Sequence, residues 1–268
     1  MKDEYYNSSD GLLYCTACHM PRQKKIVVMG HTYFVRIPCS CEMILQEQEE
    51  DDRKFREFKM QIAQLKSFGL QDKYLHNCTF ENDLGYNPEI SIARMYVENW
   101  KKMKSECRGL LLWGPVGTGK TFIAGCIANA LLEQCVPVVM TDMTKILNML
   151  NGMYAKNRNE FIDGLNFYDL LILDDLGKEH RTEFAMEQVF QLIDSRYRCR
   201  KPMIVTTNLT MAELKDQSDL AHTRIYSRIL ELCTPLKTNN HDIRQQNAAL
   251  RISEMKEIVH ADTETTSV

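Results

Sequence analysis

One octet constrains the fold of this chain more than any other feature. It reads Gly114-Pro115-Val116-Gly117-Thr118-Gly119-Lys120-Thr121. Every fixed position of the pattern G-x-x-x-x-G-K-[ST] is satisfied, and in that pattern small residues let backbone N–H groups surround a polyphosphate. The lysine reaches the β- and γ-phosphates, and the hydroxyl that follows it is a ligand for Mg²⁺. The octet therefore predicts a nucleoside triphosphate site, provided that a strand precedes it and a helix follows it.

The residues on either side of the octet meet that requirement. Gly109 to Trp113 are mostly apolar and predict a short buried strand. Phe122 to Gln134 predict a helix with Ala, Ile and Leu on its inner face. The amino terminus of such a helix adds its dipole to an anion site. We therefore count Phe122, at the start of this helix, with the octet among the candidate nucleotide-binding residues.

A second apolar run ends in two carboxylates. Leu170 to Leu173 predict a fully buried strand, and Asp174 and Asp175 follow directly after it. In an open parallel sheet, the carboxyl ends of the strands border the ligand crevice. We expect Asp174 to hold Mg²⁺, directly or through water, and Asp175 to orient or deprotonate the attacking water.

Two later segments add polar groups to the same predicted site. Pro202 to Thr207 predict another buried strand, and Asn208 follows at its tip, where an amide can hold the water or sense the γ-phosphate. Leu220 to Leu230 predict a helix with Arg224 and Arg228 on one face. These arginines cannot easily reach the γ-phosphate of their own chain, so we expect them to reach that of a neighbouring subunit. A pair of solvated arginines is the alternative.

Four of the ten cysteines are bunched near the start of the chain. They are Cys15, Cys18, Cys39 and Cys41. Two β-like runs broken by Gly30 lie between the pairs and predict a hairpin, which is the layout of a zinc ribbon. Zn²⁺ takes four soft ligands in a tetrahedron, and such a site replaces the core that a short unit cannot build. His31 is an alternative ligand, and four free thiols are the alternative without a metal.

The sequence predicts four segments. Residues 1–45 form a zinc-binding, partner-docking domain, 46–76 a charged helical linker, 77–250 the nucleotide-binding domain and 251–268 a disordered tail. The charges of the linker predict a solvated helix face, and a partner-docking helix is the alternative.

Composition narrows the class of protein. The chain is 44% hydrophobic and 26% charged, as is usual for globular proteins, and its net charge of −3 means that nucleic acid would have to bind a local basic patch. No apolar run approaches the roughly 18 residues of a membrane span, and the acidic first residues do not resemble a secretion signal. We therefore expect a cytoplasmic protein without a membrane partner.

Together these motifs resemble those of the AAA+ ATPases of the DnaC/DnaI helicase-loader family, which also includes the IstB-type transposition helpers. Residues 114–121 correspond to the Walker A motif, 170–177 to Walker B, 206–208 to sensor 1 and 224–229 to the arginine-finger helix. The resemblance covers about residues 75–250. It implies an α/β fold, a P-loop AAA+ domain with a central parallel sheet, preceded by a small zinc-binding amino-terminal domain.

The resemblance also assigns roles to individual residues. Lys120 and Thr121 bind ATP and Mg²⁺, Asp174 binds Mg²⁺, Asp175 occupies the position of the catalytic acid, and Asn208 is sensor 1. In the same way Arg228 is the arginine finger, supplied in trans within a homo-oligomer. Many AAA+ proteins have Glu at the position of Asp175, so we expect hydrolysis that is slow or stimulated by partners.

The implied function is ATP-dependent loading of a replicative DnaB-type helicase onto single-stranded DNA. A transposition helper that remodels DNA and a transposase is one alternative, and a nucleotide switch without hydrolysis is another. Basic residues considered for DNA contact are Lys145, Lys156, Arg158, Lys178 and Arg181. Arg244 is the candidate for a second sensor arginine.

Overall fold

The computed structural model describes residues 4–177, 182–238, 242–245, 248, 251–253 and 255. Contacts between Cα atoms divide the chain into two compact units, Met1–Gln61 and Ile62–Val268. The domain limits drawn from the sequence at residues 45, 76 and 250 stay predictions. Lys178, Arg181 and most of the predicted tail lie outside the described residues.

The first unit contains two antiparallel hairpins and most of a long helix. Its elements are β1 Glu4–Asn7, β2 Leu12–Cys15, β3 Gln23–Val28, β4 His31–Arg36 and α1 Ser40–Gly69, whose residues from Ile62 belong to the second unit. Met29 and Gly30 join β3 to β4 with φ angles of 49° and 80°, as a two-residue hairpin turn requires. The hairpin expected between the cysteine pairs is present, whereas the sequence did not predict the hairpin of β1 and β2, whose strands are too short for a periodic pattern.

Few side chains of the first unit are buried. Among its described residues these are Cys15, Arg22 and Cys39. Strand β4 is exposed along its whole length. A unit built in this way gains little from apolar burial and needs other contacts to hold it together.

The second unit is built on a five-stranded parallel sheet. Its strands are β5 Gly109–Trp113, β6 Val138–Asp142, β7 Leu170–Leu176, β8 Met203–Thr207 and β9 Cys233–Lys237, in the order β6-β7-β8-β5-β9. Its helices are α2 Lys73–His76, α3 Ile90–Glu98, α4 Trp100–Ser105, α5 Lys120–Glu133, α6 Met143–Asn151, α7 Ala155–Leu165, α8 Glu183–Arg198, α9 Met211–Leu214 and α10 Leu220–Leu232, with a 3-10 turn at Phe80–Asn82. The predicted central parallel sheet is confirmed.

Apolar layers cover both faces of this sheet. Leu110 and Leu112 of β5 face one layer with α3 and α5, whereas Leu111 faces the other with α6, α8 and α10. Successive side chains of a strand point to opposite faces, so a strand buried on both sides reads as a continuous apolar run. This is why the strands next to the predicted site were recognisable from the sequence.

Two helical segments differ from the expectation. The sequence predicts a single helix near residues 88–104, but the structure has two, α3 and α4, divided at Asn99, whose φ and ψ angles of −97° and 19° are not helical. Helix α7 was not predicted, because its residues are mostly polar and give a weak apolar stripe. In the described part of the chain, no helix combines the length and the apolarity of a membrane span.

Candidate nucleotide site

The octet connects β5 to α5 and has the backbone that the sequence pattern requires. Gly119 has a φ angle of 84° and precedes the first residue of α5, and a Cβ at this position would collide with the side chain of Asn87. Lys120 Nζ donates hydrogen bonds to the carbonyl oxygens of Gly114 (2.8 Å) and Pro115 (2.6 Å). The ammonium group therefore lies inside the loop that is expected to surround the phosphates.

The side chains expected at the metal and the water lie side by side. Thr121 Oγ1 donates to both carboxylate oxygens of Asp174, at 3.0 Å each. Asn208 Nδ2 donates to Asp175 Oδ1 across 3.5 Å. Hydroxyl and carboxylate oxygens are the ligands that Mg²⁺ prefers, so Thr121 and Asp174 fit that ion.

A cavity of about 390 Å³ opens beside the octet, a volume within the usual range for small-molecule sites. Val116 to Phe122, Asp175 and Asn208 line one part of it. Another part is lined by residues that lie between positions 74 and 87. For residues 78–82 the sequence favours either packing over the base of a bound nucleotide or ordinary packing in the core, and the lining extends beyond them in both directions.

Helix α5 holds this lining segment in position. Asn129 Nδ2 donates to the carbonyl oxygens of Leu75 (2.8 Å), Cys78 (2.9 Å) and Gly125 (3.0 Å). A Cβ on Gly125 would collide with the side chain of Cys78. Sequence reasoning missed Asn129, and the available signal was a single amide within an otherwise apolar helix.

Residues after β9 also border the site. Thr238 Oγ1 lies 2.7 Å from Thr118 Oγ1, and the N–H of Ile243 donates to the carbonyl oxygen of Gly117 at 3.0 Å. Arg244, the candidate second sensor, lines the cavity. The chain after the last strand therefore returns to the octet.

The two arginines of α10 differ in their surroundings, and neither is among the described residues that line the cavity. Arg228 Nε donates to Asp194 Oδ1 at 3.0 Å, and its guanidinium lies 5.0 Å from the ring centre of Phe190 and 5.7 Å from that of Tyr197. Arg224 is exposed. The position of Arg228 is thus fixed by α8, and neither side chain serves the site of its own chain in this structure.

The four bunched cysteines come together in the first unit. The Sγ atoms of Cys15, Cys18, Cys39 and Cys41 all lie within 4.8 Å of one another. Ligands at the usual Zn–S distance in a tetrahedron are about 3.8 Å apart, so the four thiols fit a zinc ion. His31 is exposed at the start of β4 and does not belong to this group.

The thiols of this group differ in acidity. Hydrogen bonds from the Ser40 side chain and the Met20 backbone lower the pKa of Cys18 to about 5. A hydrogen bond with Cys18, together with burial and the charge of neighbouring thiolates, raises the pKa of Cys41 to about 11. A thiolate at Cys18 thus disfavours a second one at Cys41, and a bound cation would remove that penalty.

Comparison with known proteins gives consistent matches. The family described as IstB-like ATP binding protein matches residues 37–250. The replicative helicase loader DnaC of Escherichia coli (strain K12) is 26% identical over 170 residues, which are 61% of this chain and 67% of the relative. The replicative helicase loader DnaI of Bacillus subtilis (strain 168) is 25% identical over 206 residues, 72% of this chain and 66% of the relative.

A solved structure is also similar in fold. The crystal structure of DnaI has a TM-score of 0.51 at 18% identity, with 64% of this chain and 96% of that chain covered. This likeness confirms the predicted α/β fold, and the sequence matches confirm the resemblance to DnaC and DnaI. Because the family match extends over most of the chain, from residue 37 to residue 250, this protein belongs to the IstB-like ATP binding protein family.

Proposed function

We propose that this protein is an ATP-dependent loader of a replicative DnaB-type helicase onto single-stranded DNA. One observation carries the proposal: relatives from two different bacteria, matched over 170 and 206 residues, are both named replicative helicase loaders. The cavity beside the octet supplies the nucleotide site that this role requires. The role also implies a cytoplasmic location.

The ATP chemistry follows from the residues around the octet. Backbone N–H groups of residues 116–121 and the ammonium of Lys120 would bind the phosphates, and Thr121 and Asp174 would hold Mg²⁺. When bound there, Mg²⁺ would supply positive charge that neutralises the transferred phosphoryl group. Asp175 accepts the proton of the attacking water, while the amide of Asn208 orients the carboxylate. Aspartate has one methylene fewer than glutamate, so we propose slow turnover that a partner accelerates.

We further propose that the site is completed in trans within a homo-oligomer. Arg224 is exposed, and Arg228 is held by Asp194 on the same surface. A neighbouring subunit's γ-phosphate would draw one of these guanidinium groups into its site, and hydrolysis would release it. In this proposal the main role of ATP is to control the association of subunits, and supplying energy for mechanical work is secondary.

The first unit is proposed as a zinc-stabilised module that docks the helicase. Its hairpin of β3 and β4 exposes large apolar side chains, which is typical of surfaces that bind another protein. These are Val27, Val28, Met29, Tyr33, Phe34 and Val35.

Of the basic residues considered for DNA contact, the three that the structure describes all have partners within the chain. Lys145 Nζ lies 2.6 Å from Asp72 Oδ2, and Arg158 Nε donates to the carbonyl oxygen of Met153. Lys156 Nζ lies 4.0 Å from Glu160 Oε1, and both side chains are largely exposed. DNA binding is therefore inferred from the relatives and not from a basic surface. A transposition helper is consistent with the family's description, but both relatives named above favour the loader.

A capture experiment tests the loader role. Full-length protein with ATP should retain a purified replicative helicase from the same cell, and Phe34→Ser should weaken capture at least tenfold. Phe167→Ser is the matched control, since Phe167 is also an exposed aromatic residue but belongs to the second unit. Failure of the wild-type protein to bind the helicase would count decisively against the proposal.

ATP turnover tests the catalytic assignment. Asp175→Asn should abolish the release of phosphate and leave ATP binding nearly unchanged, because the substitution removes the base but keeps the shape of the side chain. Equal turnover by the wild type and Asp175→Asn would contradict the role of Asp175 and favour the nucleotide switch without hydrolysis.

A further inference from the structure

We infer that the hydroxyl of Thr206 is a positioning group for the metal-binding carboxylate of Asp174 and for the backbone of Asp175. The inference rests on the ATPase site proposed above and assigns a separate role to Thr206, the first residue of the segment that resembles sensor 1. Thr206 is fully buried on β8, the strand beside β7 in the sheet.

The register of the two strands explains why a hydroxyl is needed there. Leu173 is paired with Val205, but Leu176 is paired with Thr207, so β7 contains one residue more than β8 over this interval. Such a bulge removes backbone groups from the regular ladder. Asp175 lies within it and has a φ angle of 57°, in the left-handed region.

Thr206 forms hydrogen bonds with both aspartates at the bulge. Its Oγ1 accepts a hydrogen bond from the N–H of Asp175 at 2.8 Å and donates to Asp174 Oδ1 at 2.6 Å. A single hydroxyl therefore satisfies the displaced backbone of Asp175 and fixes the orientation of the Asp174 carboxylate. The same carboxylate also accepts hydrogen bonds from Thr121 at the start of α5. It is therefore held between Thr206 on β8 and Thr121 on α5.

The adjacent residue supplies a matched control. Thr207 is also fully buried, and its Oγ1 likewise donates one hydrogen bond, to the carbonyl oxygen of Leu176 (2.7 Å), and accepts one, from the N–H of Leu209 (3.1 Å). Both hydroxyls have the same number of these bonds, but the partners of Thr207 are backbone groups alone. Valine at either position keeps the shape of threonine and removes the hydroxyl.

The test is a titration of a fluorescent ATP analogue on the full-length protein, with Mg²⁺ varied and with EDTA. Thr206→Val should raise the Mg²⁺ concentration for half-maximal enhancement of binding about tenfold, as is usual when a partner of a metal-binding carboxylate is lost. Affinity in EDTA should change less than about twofold. Thr206→Ser should restore the Mg²⁺ response, and Thr207→Val should leave it unchanged even if it lowers the melting temperature. Thr206→Ala replaces Thr206→Val if the latter does not fold.

Three outcomes overturn the inference: a wild-type Mg²⁺ response in folded Thr206→Val, the same shift in Thr207→Val, or no rescue by Thr206→Ser. Absence of nucleotide binding by the wild type would overturn the ATPase assignment itself and this inference with it. Helicase capture decides the loader role separately, so the two conclusions can fail independently.

Discussion

Among the described residues of the first unit, the buried side chains are two cysteines and an arginine, whereas in the second unit they are mainly aliphatic and cover both faces of a sheet. The first unit must therefore be held by specific chemistry, namely a thiol cluster and ion pairs. The second is held by apolar burial, which depends on area and packing and not on any one bond. The difference predicts that loss of a single thiol ligand should unfold the first unit altogether, whereas loss of a single apolar side chain should only weaken the second.

The two units can be observed separately in the intact chain. Both tryptophans, Trp100 and Trp113, belong to the second unit. Tryptophan fluorescence therefore follows the second unit alone, while amide NMR signals of residues 4–37 follow the first.

Removal of the proposed zinc should have the largest effect. A chelator at neutral pH, or Cys15→Ser, should unfold the first unit completely, because structural zinc contributes roughly 10–16 kcal/mol to the folding of small domains. NMR dispersion of the first unit should be lost together with bound zinc, and tryptophan fluorescence should not change. Cys199→Ser, at an exposed cysteine of the second unit, is the control. Unchanged metal content in both Cys15→Ser and Cys39→Ser would reject the site.

A substitution in the sheet should have a graded effect. Leu111 is fully buried at the centre of β5, so Leu111→Ala should lower the free energy of unfolding of the second unit by about 2–5 kcal/mol. Urea unfolding followed by tryptophan fluorescence measures this free energy. The zinc-dependent stability of the first unit, followed by its NMR signals, should not change. A loss below about 1 kcal/mol would mean that the sheet is not closely packed at its centre.

The same contrast explains what could be predicted from the sequence. Strands β5, β7 and β8 were recognised because burial on both faces gives continuous apolar runs, and the polar residues at their ends then marked the site. The bulge of β7 was not predictable, because it arises from the pairing of two strands that are about thirty residues apart in the chain. Thr206 gained its role only through that pairing.

Buried polar groups outside motifs were missed for a similar reason. Arg196 is fully buried and donates to the carbonyl oxygens of Tyr168 (2.9 Å), Asp169 (2.8 Å) and Pro202 (2.7 Å), which lie just before β7 and β8. In the sequence it resembles any arginine near the end of a charged helix. Asn129 is a comparable case, since its three carbonyl partners come from two separate segments.

The ion pairs of the first unit should have an intermediate effect. Arg22 is buried and binds Glu4 (2.9 Å) and Glu42, so Arg22→Met should destabilise the zinc-bound first unit by about 1–3 kcal/mol, because both carboxylates lose a partner. Arg36→Met is the matched control, since Arg36 also pairs with Glu4 but is mostly exposed. Denaturant titrations followed by NMR compare the two. Equal losses would mean that burial of Arg22 contributes nothing to its ion pairs.

The smallest effect on stability is expected at the exposed hairpin. The Phe34 side chain is 54% exposed, so Phe34→Ala should change the stability of the zinc-bound first unit by no more than about 0.5 kcal/mol. The same variant should still weaken capture of the helicase, because a side chain that contributes little within the chain is free to be buried by a partner. A loss of stability above 1 kcal/mol would instead make Phe34 part of the fold of the first unit. Apolar side chains would then stabilise the first unit more than its few buried residues suggest, and the docking surface would have to lie elsewhere on β3 and β4.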